Sequence, residues 1–161
     1  MIATILGSNS GDKCRLLKEA AHLLSAVGEI IQESSFYETE PWGFESDENF
    51  LNQVIVFETP LKPSDFLHCC LEVEKQLGRV RNPHGPRYTS RPIDIDILFC
   101  DSQIIDTPEL IVPHPRLCER HFVLAPLAEV MPDFIHPGKQ KSIQELLSIC
   151  PDHSVVTKIL F

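Results

Sequence analysis

Short apolar or alternating runs along this chain are typical of β-strands, because side chains that alternate between two faces repeat with a period of two. They predict strands at residues 2–6, 30–37, 50–58 and 93–99, with a shorter one at 103–105. After the first strand, Gly7-Ser8-Asn9 is expected to form a tight turn.

Apolar residues at helical spacing lie between these runs. They predict a first helix through Leu16, Leu17, Ala20, Leu23, Leu24 and Val27, with Gly28 as its stop. A second apolar stripe, Phe66, Cys70, Val73 and Leu77, follows Pro63 at a first helical position and ends before Gly78. Two further helical patterns lie near residues 122–130 and 142–149.

The leading order of these elements is strand, helix, strand, strand, helix, strand. This order predicts an α+β fold with a ferredoxin-like βαββαβ core, in which helices cover one face of an antiparallel sheet. Because the chain has 161 residues and shows no repeat or linker, we expect a single domain over residues 1–161.

Composition then excludes several classes of function. The formal net charge of −9 disfavours a general nucleic-acid or anionic-membrane binder. No apolar run approaches the roughly 20 residues of a membrane-spanning helix, and the N-terminus does not resemble a signal peptide. The six cysteines form no CxxC pair, which fits reduced thiols in a cytoplasm. We expect a cytoplasmic protein that acts on small molecules, without a nucleic-acid or membrane partner.

Positive charge is concentrated in one segment of this acidic chain. The segment contains no acidic residue and carries five basic ones: Lys75, Arg79, Arg81, Arg87 and Arg91. Since guanidinium groups match phosphate oxygens, the segment suits a polyanionic small ligand. A solvated basic loop would explain the same composition equally well.

Directly after the basic segment comes a strand with two acidic residues, Asp94 and Asp96. Ile93, Ile95, Ile97 and Phe99 are expected to face the core, which leaves the two carboxylates on the opposite face, about 7 Å apart. Like charges this close are unfavourable unless a cation lies between them, and hard oxygen ligands suit Mg²⁺. The alternative is an ordinary surface strand, but the neighbouring arginines favour magnesium-dependent phosphate transfer.

A second cluster suits a flat heterocycle. Phe50 and Asn52 share a strand face, and the preceding loop contains Thr39 and Trp42. An aromatic ring can stack on such a ligand, while an amide offers a donor and an acceptor side by side. Taken alone, such a cluster is more often core plus a capped turn. His114 and Arg120 are the remaining candidates, although a lone histidine in a proline-rich loop is usually structural.

Six segments, in order, resemble one known family: LGSN, SSFYET, FLNQV, EKQLGRVR, SRPIDIDILF and VPHPRLCERHFVLAPL. The family is the 6-hydroxymethyl-7,8-dihydropterin pyrophosphokinases of folate biosynthesis, and the resemblance runs from Ala3 to about Ala128. It implies a ferredoxin-like enzyme that transfers pyrophosphate from ATP to the pterin hydroxymethyl group, releases AMP and uses two Mg²⁺ ions. We expect a monomer.

By position, the resemblance also implies roles for individual residues. Asp94 and Asp96 match the metal ligands, and Arg79 and Arg91 match the arginines that assist transfer. Pterin contacts match Thr39, Trp42, Phe50, Asn52 and Phe122. Nucleotide contacts match Glu74, Arg81, His114, Arg120 and the backbones of Ile97 and Ile111. The chain departs from the family at residues 81–91, which lack a frequent tryptophan, and at Glu109, where some members carry a base.

Two other functions remain open on a similar scaffold, because a fold does not by itself determine a function. One is a magnesium-dependent nucleotidyltransferase, which would release pyrophosphate instead of AMP. The other is a non-catalytic nucleotide-sensing module, which would bind ATP without turnover.

Overall fold

The computed structural model of the chain describes residues 1–40, 49–78 and 92–160. The strands are β1 (Ile2–Ser8), β2 (Glu29–Glu33), β3 (Phe36–Thr39), β4 (Phe50–Glu58), β5 (Asp94–Cys100), β6 (Ile105–Asp106), β7 (Ile111–Val112) and β8 (Val156–Ile159). The helices are α1 (Lys13–Leu24), α2 (Pro63–Gln76), α3 (His121–Val130) and α4 (Ile143–Ser148), with a short 3-10 helix at Leu117–Glu119. Within the described ranges, no helix is long and apolar enough to cross a membrane.

Six strands form one antiparallel sheet in the order β5-β1-β4-β3-β8, and β2 also pairs with β4. The predicted strand at 30–37 is therefore two strands. They separate at Ser34, whose backbone N–H donates to Val54 O at 2.9 Å while its hydroxyl accepts from Val54 N at 2.9 Å. A side-chain hydroxyl takes the place of a backbone carbonyl there, which interrupts the regular ladder.

Both faces of the sheet are covered, which corrects the expectation of helices on one face. Leu17 of α1 and Phe66 of α2 pack with Ile55 of β4 in one apolar cluster. Leu124 of α3 and Ile143 of α4 pack with Val54 in a second cluster on the opposite face. The face of the sheet that the second cluster covers is called the α3–α4 face. The second face is covered because the segments that follow the predicted core form α3 and α4, and these helices pack back onto the sheet.

Helix ends follow the sequence signals in one helix and not in the other. Pro63 is the first residue of α2, and Gly78 follows its end with φ +97°, so both predictions are confirmed. The prediction that Gly28 ends α1 is wrong, because the helix stops at Leu24 and Ser25 N donates to the carbonyls of the last turn. Gly28 instead approaches β4 closely: a Cβ there would lie 3.2 Å from Thr59 Cβ.

A bulge in β5 changes which side chains face each cluster. Against β1, Ile97 pairs with Thr4 while Phe99 pairs with Ala3, so Leu98 is an additional residue. Ile95 and Ile97 therefore lie in the cluster beneath α1 and α2, whereas Phe99 lies in the α3–α4 cluster. The prediction that Phe99 shares the face of the isoleucines is wrong, because one additional residue reverses the alternation.

Two further differences concern the first and the last strand. Gly7 and Ser8 belong to β1, so the predicted turn at residues 7–9 begins later than expected. Strand β8 was not predicted, and it pairs with β3 at the edge of the sheet, opposite to β5.

Candidate active site

One row of residues across the sheet brings the two predicted clusters together. Gly7 of β1 is the register partner of Asp94 in β5 and also of Asn52 in β4. Directly opposed residues of antiparallel strands project to the same face, here the α3–α4 face. Since neighbouring strands lie about 4.8 Å apart, Asp94 and Asn52 are roughly 10 Å apart across β1.

The Asn52 side chain is buried, with 3% of its surface exposed, and its orientation is fixed by its neighbours. Its amide Nδ2 donates to Thr39 Oγ1 at 3.0 Å. Its Oδ1 lies over Gly7, where a Cβ would be only 2.8 Å away. Phe50, two residues earlier in β4, is half-buried on the same face and pairs with Thr39. Gly7 was missed as a site residue, and the signal was present in the sequence as a glycine at the end of an apolar strand.

Asp94 and Asp96 are both half-buried and alternate with the buried Ile95, so they share the face of Asn52. Among the described residues, no cluster of three His, Cys, Asp or Glu side chains could hold a metal ion by protein ligands alone. Two adjacent carboxylates fit Mg²⁺, which commonly takes one or two of them and completes its shell with water and substrate phosphates.

His114 is held against β5 by the loop that follows β7. Its backbone N–H donates to Leu98 O at 3.0 Å, and its Nδ1 accepts from Arg116 N at 3.2 Å. Burial, followed by the nearby Arg120 guanidinium, lowers the pKa of His114 to about 4, although Asp94 acts in the opposite direction. The imidazole is therefore neutral near pH 7, and the Nδ1 contact assigns its proton to Nε2.

Arg120 and Phe122 lie at the start of α3. The Arg120 guanidinium carbon lies 5.6 Å from the centre of the Phe122 ring, within the range of a cation–π contact. Because α3 packs on the α3–α4 face of the sheet, this cation and this aromatic ring belong to the side that carries Asn52 and the two aspartates.

The remaining residues that were predicted to contact the nucleotide lie elsewhere in the fold. Glu74 is buried in α2, on the opposite face, and its Oε2 accepts from Ile95 N at 2.8 Å. The side chain of Ile97 is buried, while Ile111 is exposed in β7, which packs beside β5. The predictions for Trp42, Arg79, Arg81, Arg87 and Arg91 lie outside the described residues.

Comparison with known sequences gives a consistent family. The profile of the family described as 7,8-dihydro-6-hydroxymethylpterin-pyrophosphokinase (HPPK) matches residues 3–132. A protein of Porphyromonas gingivalis named 2-amino-4-hydroxy-6-hydroxymethyldihydropteridine pyrophosphokinase is 47% identical over 134 residues, covering 82% of this chain and 90% of the relative. The Bacillus subtilis protein of the same name is 44% identical over 127 residues, covering 78% and 74%.

Solved structures extend the likeness to the fold. A crystal structure of Plasmodium falciparum HPPK-DHPS with pteroate matches with a TM-score of 0.72 at 18% identity. The match covers 91% of this chain and 41% of that chain, so this chain spans less than half the length of the solved protein.

Proposed function

We propose that this chain, which belongs to the 7,8-dihydro-6-hydroxymethylpterin-pyrophosphokinase family, transfers pyrophosphate from ATP to the hydroxymethyl group of 6-hydroxymethyl-7,8-dihydropterin and releases AMP. The reaction belongs to folate biosynthesis. The observation that carries the proposal is the row Asp94, Gly7 and Asn52, in which a carboxylate and a buried amide face the same side, one strand apart from each other. A metal-bound triphosphate and a flat heterocycle could then meet over β1.

The pterin is assigned to the Asn52 end of this row. The fixed amide of Asn52 can offer an acceptor and a donor to the edge of the ring, and its contact with Thr39 supports that orientation. Phe50 and Phe122 are proposed to stack on the ring, since Phe50 is half-buried on the face of Asn52 and Phe122 packs against the α3–α4 cluster. Trp42 is proposed to complete the pocket from its loop.

The nucleotide is assigned to the Asp94 end. Asp94 and Asp96 would hold two Mg²⁺ ions, which when bound supply charge neutralisation for the phosphates and polarise coordinated oxygens. Neutral His114 can donate from Nε2, and Arg120 supplies positive charge beside it. Glu74 and Arg81 are the two further side chains that the family resemblance implies as nucleotide contacts.

The open edge of β5 supports a backbone contact with the nucleotide. Because Ile95 N–H donates to Glu74, it points away from β1. The antiparallel ladder alternates, so the backbone groups of Ile97 also point away from β1. Strand β7, which carries Ile111, packs on β5. We assign the nucleotide contacts of the Ile97 and Ile111 backbones to this edge.

The transfer itself requires little covalent chemistry from the protein. The pterin hydroxyl oxygen attacks the β-phosphorus of ATP, the bond from that phosphorus to the bridging α,β-oxygen breaks, and AMP leaves with that oxygen. The hydroxyl proton is released, and we assign no side chain as its acceptor. Arg79 and Arg91 are proposed to neutralise the charge that moves onto the leaving AMP.

The proposal also covers the type of fold, the number of domains, the oligomeric state and the location of the protein. The strand order β5-β1-β4 followed by β2 and β3, with α1 and α2 on one face, supports a ferredoxin-like core. We further propose a single domain over residues 1–161 that acts as a monomer in the cytoplasm.

The experiment that tests this function is product identification. The protein is incubated with ATP, Mg²⁺ and 6-hydroxymethyl-7,8-dihydropterin, and with ATP and Mg²⁺ only as the control. We expect pterin-dependent release of AMP together with a pyrophosphorylated pterin. Pyrophosphate release would identify a nucleotidyltransferase, and ATP binding without any product would identify a sensing module.

A further inference from the structure

We propose that Glu74 is a positioning residue, which fixes the β5 backbone between the two aspartates from the opposite face of the sheet. Its carboxylate accepts the N–H of Ile95 at 2.8 Å, and Ile95 stands between Asp94 and Asp96. Glu74 is only 2% exposed. The inference rests on the proposed function in so far as Asp94 and Asp96 are the metal ligands.

The hydrogen bond has a specific place in the sheet. Strand β5 ends the strand order, so its outer backbone groups have no neighbouring strand within the described sheet. The Ile95 N–H is one of these outer groups, and α2 supplies a carboxylate where a further strand would supply a carbonyl. A buried N–H that loses its acceptor bears the full cost of its desolvation, so the contact holds this edge firmly.

The position of Ile95 determines where the two carboxylates point. Successive side chains of a strand project to opposite faces, so a fixed Ile95 backbone fixes the directions of both neighbours. The Ile95 side chain is itself buried in the cluster beneath α1 and α2, which also contains Val73 of the helix that carries Glu74. Residues that orient metal ligands in this way typically change metal affinity by about 10–100-fold when they are replaced.

Direct contact with the nucleotide is the role that the family resemblance implies for Glu74, and the hydrogen bond to Ile95 adds a second role. Helix α2, which carries Glu74, packs in the cluster with α1, whereas Asp94 and Asp96 project to the α3–α4 face. Through Oε2, Glu74 acts on the two aspartates by way of the Ile95 peptide, without touching either of them.

The test compares two replacements with a control on the same helix. Glu74→Leu removes the acceptor and keeps an apolar volume, whereas Glu74→Gln keeps an acceptor oxygen and removes the charge. Glu72→Leu is the control, since Glu72 is an exposed glutamate on α2. Amide hydrogen exchange at Ile95 is measured by NMR without ligand, and the Mg²⁺ concentration for half-maximal ATP binding is measured by titration.

For Glu74→Leu we expect faster exchange at Ile95 and a Mg²⁺ requirement raised by about 10-fold or more, with an unchanged KM for the pterin. Glu74→Gln should remain close to the wild type in exchange and Mg²⁺ requirement, because the hydrogen bond survives. If Glu74→Leu does not fold, Glu74→Asp takes its place, because the shorter side chain keeps the charge and withdraws the acceptor from the Ile95 N–H. Faster Ile95 exchange together with a raised Mg²⁺ requirement in Glu74→Asp supports the proposal, whereas a change in neither or in only one of them overturns it.

Three results would overturn it. They are unchanged Ile95 exchange in Glu74→Leu, equal loss of Mg²⁺ affinity in Glu74→Gln and Glu74→Leu, and an effect of Glu72→Leu as large as that of Glu74→Leu. Failure of the proposed function is separate, because it would appear as a wild-type protein that releases no AMP, whatever the exchange at Ile95.

Discussion

Asp94 and Asn52 project from the same face of the sheet, and the residue directly between them is Gly7, the register partner of both. Any larger residue at that position would place a side chain between the proposed phosphate end and the proposed pterin end of the site. A Cβ there would also lie 2.8 Å from Asn52 Oδ1. The glycine therefore keeps the floor of the site open and leaves room for the Asn52 amide.

Gly7→Ala should weaken pterin binding while leaving ATP binding nearly unchanged. Overpacking of a well-packed site costs about 1–3 kcal/mol, so pterin affinity should fall about 5- to 150-fold. Calorimetric titration with each ligand measures the two affinities. Gly28→Ala is the control, because its Cβ would also be crowded, at 3.2 Å from Thr59 Cβ, but away from Asn52. Equal loss of pterin affinity in both variants would contradict the role of Gly7.

Asn52→Ala should reduce pterin affinity by about 1–3 kcal/mol, since the ring would lose its polar partner in a buried position. ATP affinity should change little. The control is Gln53→Ala, the next residue of β4, which projects to the opposite face and donates to Ser34 O at 2.9 Å. A similar loss of affinity for both ligands in Asn52→Ala would place the pterin pocket elsewhere.

The regular elements of the core could be predicted from the sequence because their signals are local. The alternation in residues 50–58 gave β4 with its observed bounds, and Pro63 and Gly78 marked the ends of α2. The resemblance to the pyrophosphokinase family is confirmed by the match over residues 3–132.

The errors arose where tertiary contacts decide the local structure. The break at Ser34 depends on a hydroxyl that bonds across to Val54, and the face of Phe99 depends on a bulge opposite β1. Gly7 was predicted to lie in a turn, because its position between two strands becomes visible only when the strands of the sheet are paired. The contact of Glu74 with Ile95 likewise joins two segments that are distant along the chain.

Asp94→Ala and Asp96→Ala should each reduce turnover by about 100-fold or more, because a catalytic metal contributes several kcal/mol of charge stabilisation. Both variants should remain folded, since each changes one half-buried side chain and leaves the buried isoleucines of β5 in place. Asp106→Ala, at an exposed aspartate of β6, is the control. AMP release is measured by steady-state assay together with circular dichroism. Turnover like that of the wild type in either variant would exclude the metal site.

The pKa of His114 makes stability depend on pH in a defined window. Burial and the Arg120 guanidinium lower the pKa of His114 from 6.5 to about 4 in the folded protein. Between these values the unfolded chain binds a proton that the folded protein does not, so folding is disfavoured as the pH falls. With respect to His114, the free energy of unfolding is therefore highest above about pH 6.5, and it decreases as the pH falls toward about 4. Burial also lowers the pKa of His136, which adds a change of the same sign.

His114→Gln should therefore weaken the pH dependence of unfolding, because glutamine takes up no proton in this range and His136 is present in both proteins. The free energy of unfolding is measured by denaturant titration without ligands at pH 7 and pH 5. The wild type should lose more stability than the variant between these values, by about 1–2 kcal/mol. His153→Gln, at an exposed histidine near the C-terminus, should keep the wild-type dependence. If His114→Gln and the wild type lose the same stability, the pKa of His114 is not lowered in the folded protein, and the pH dependence assigned to its burial is wrong.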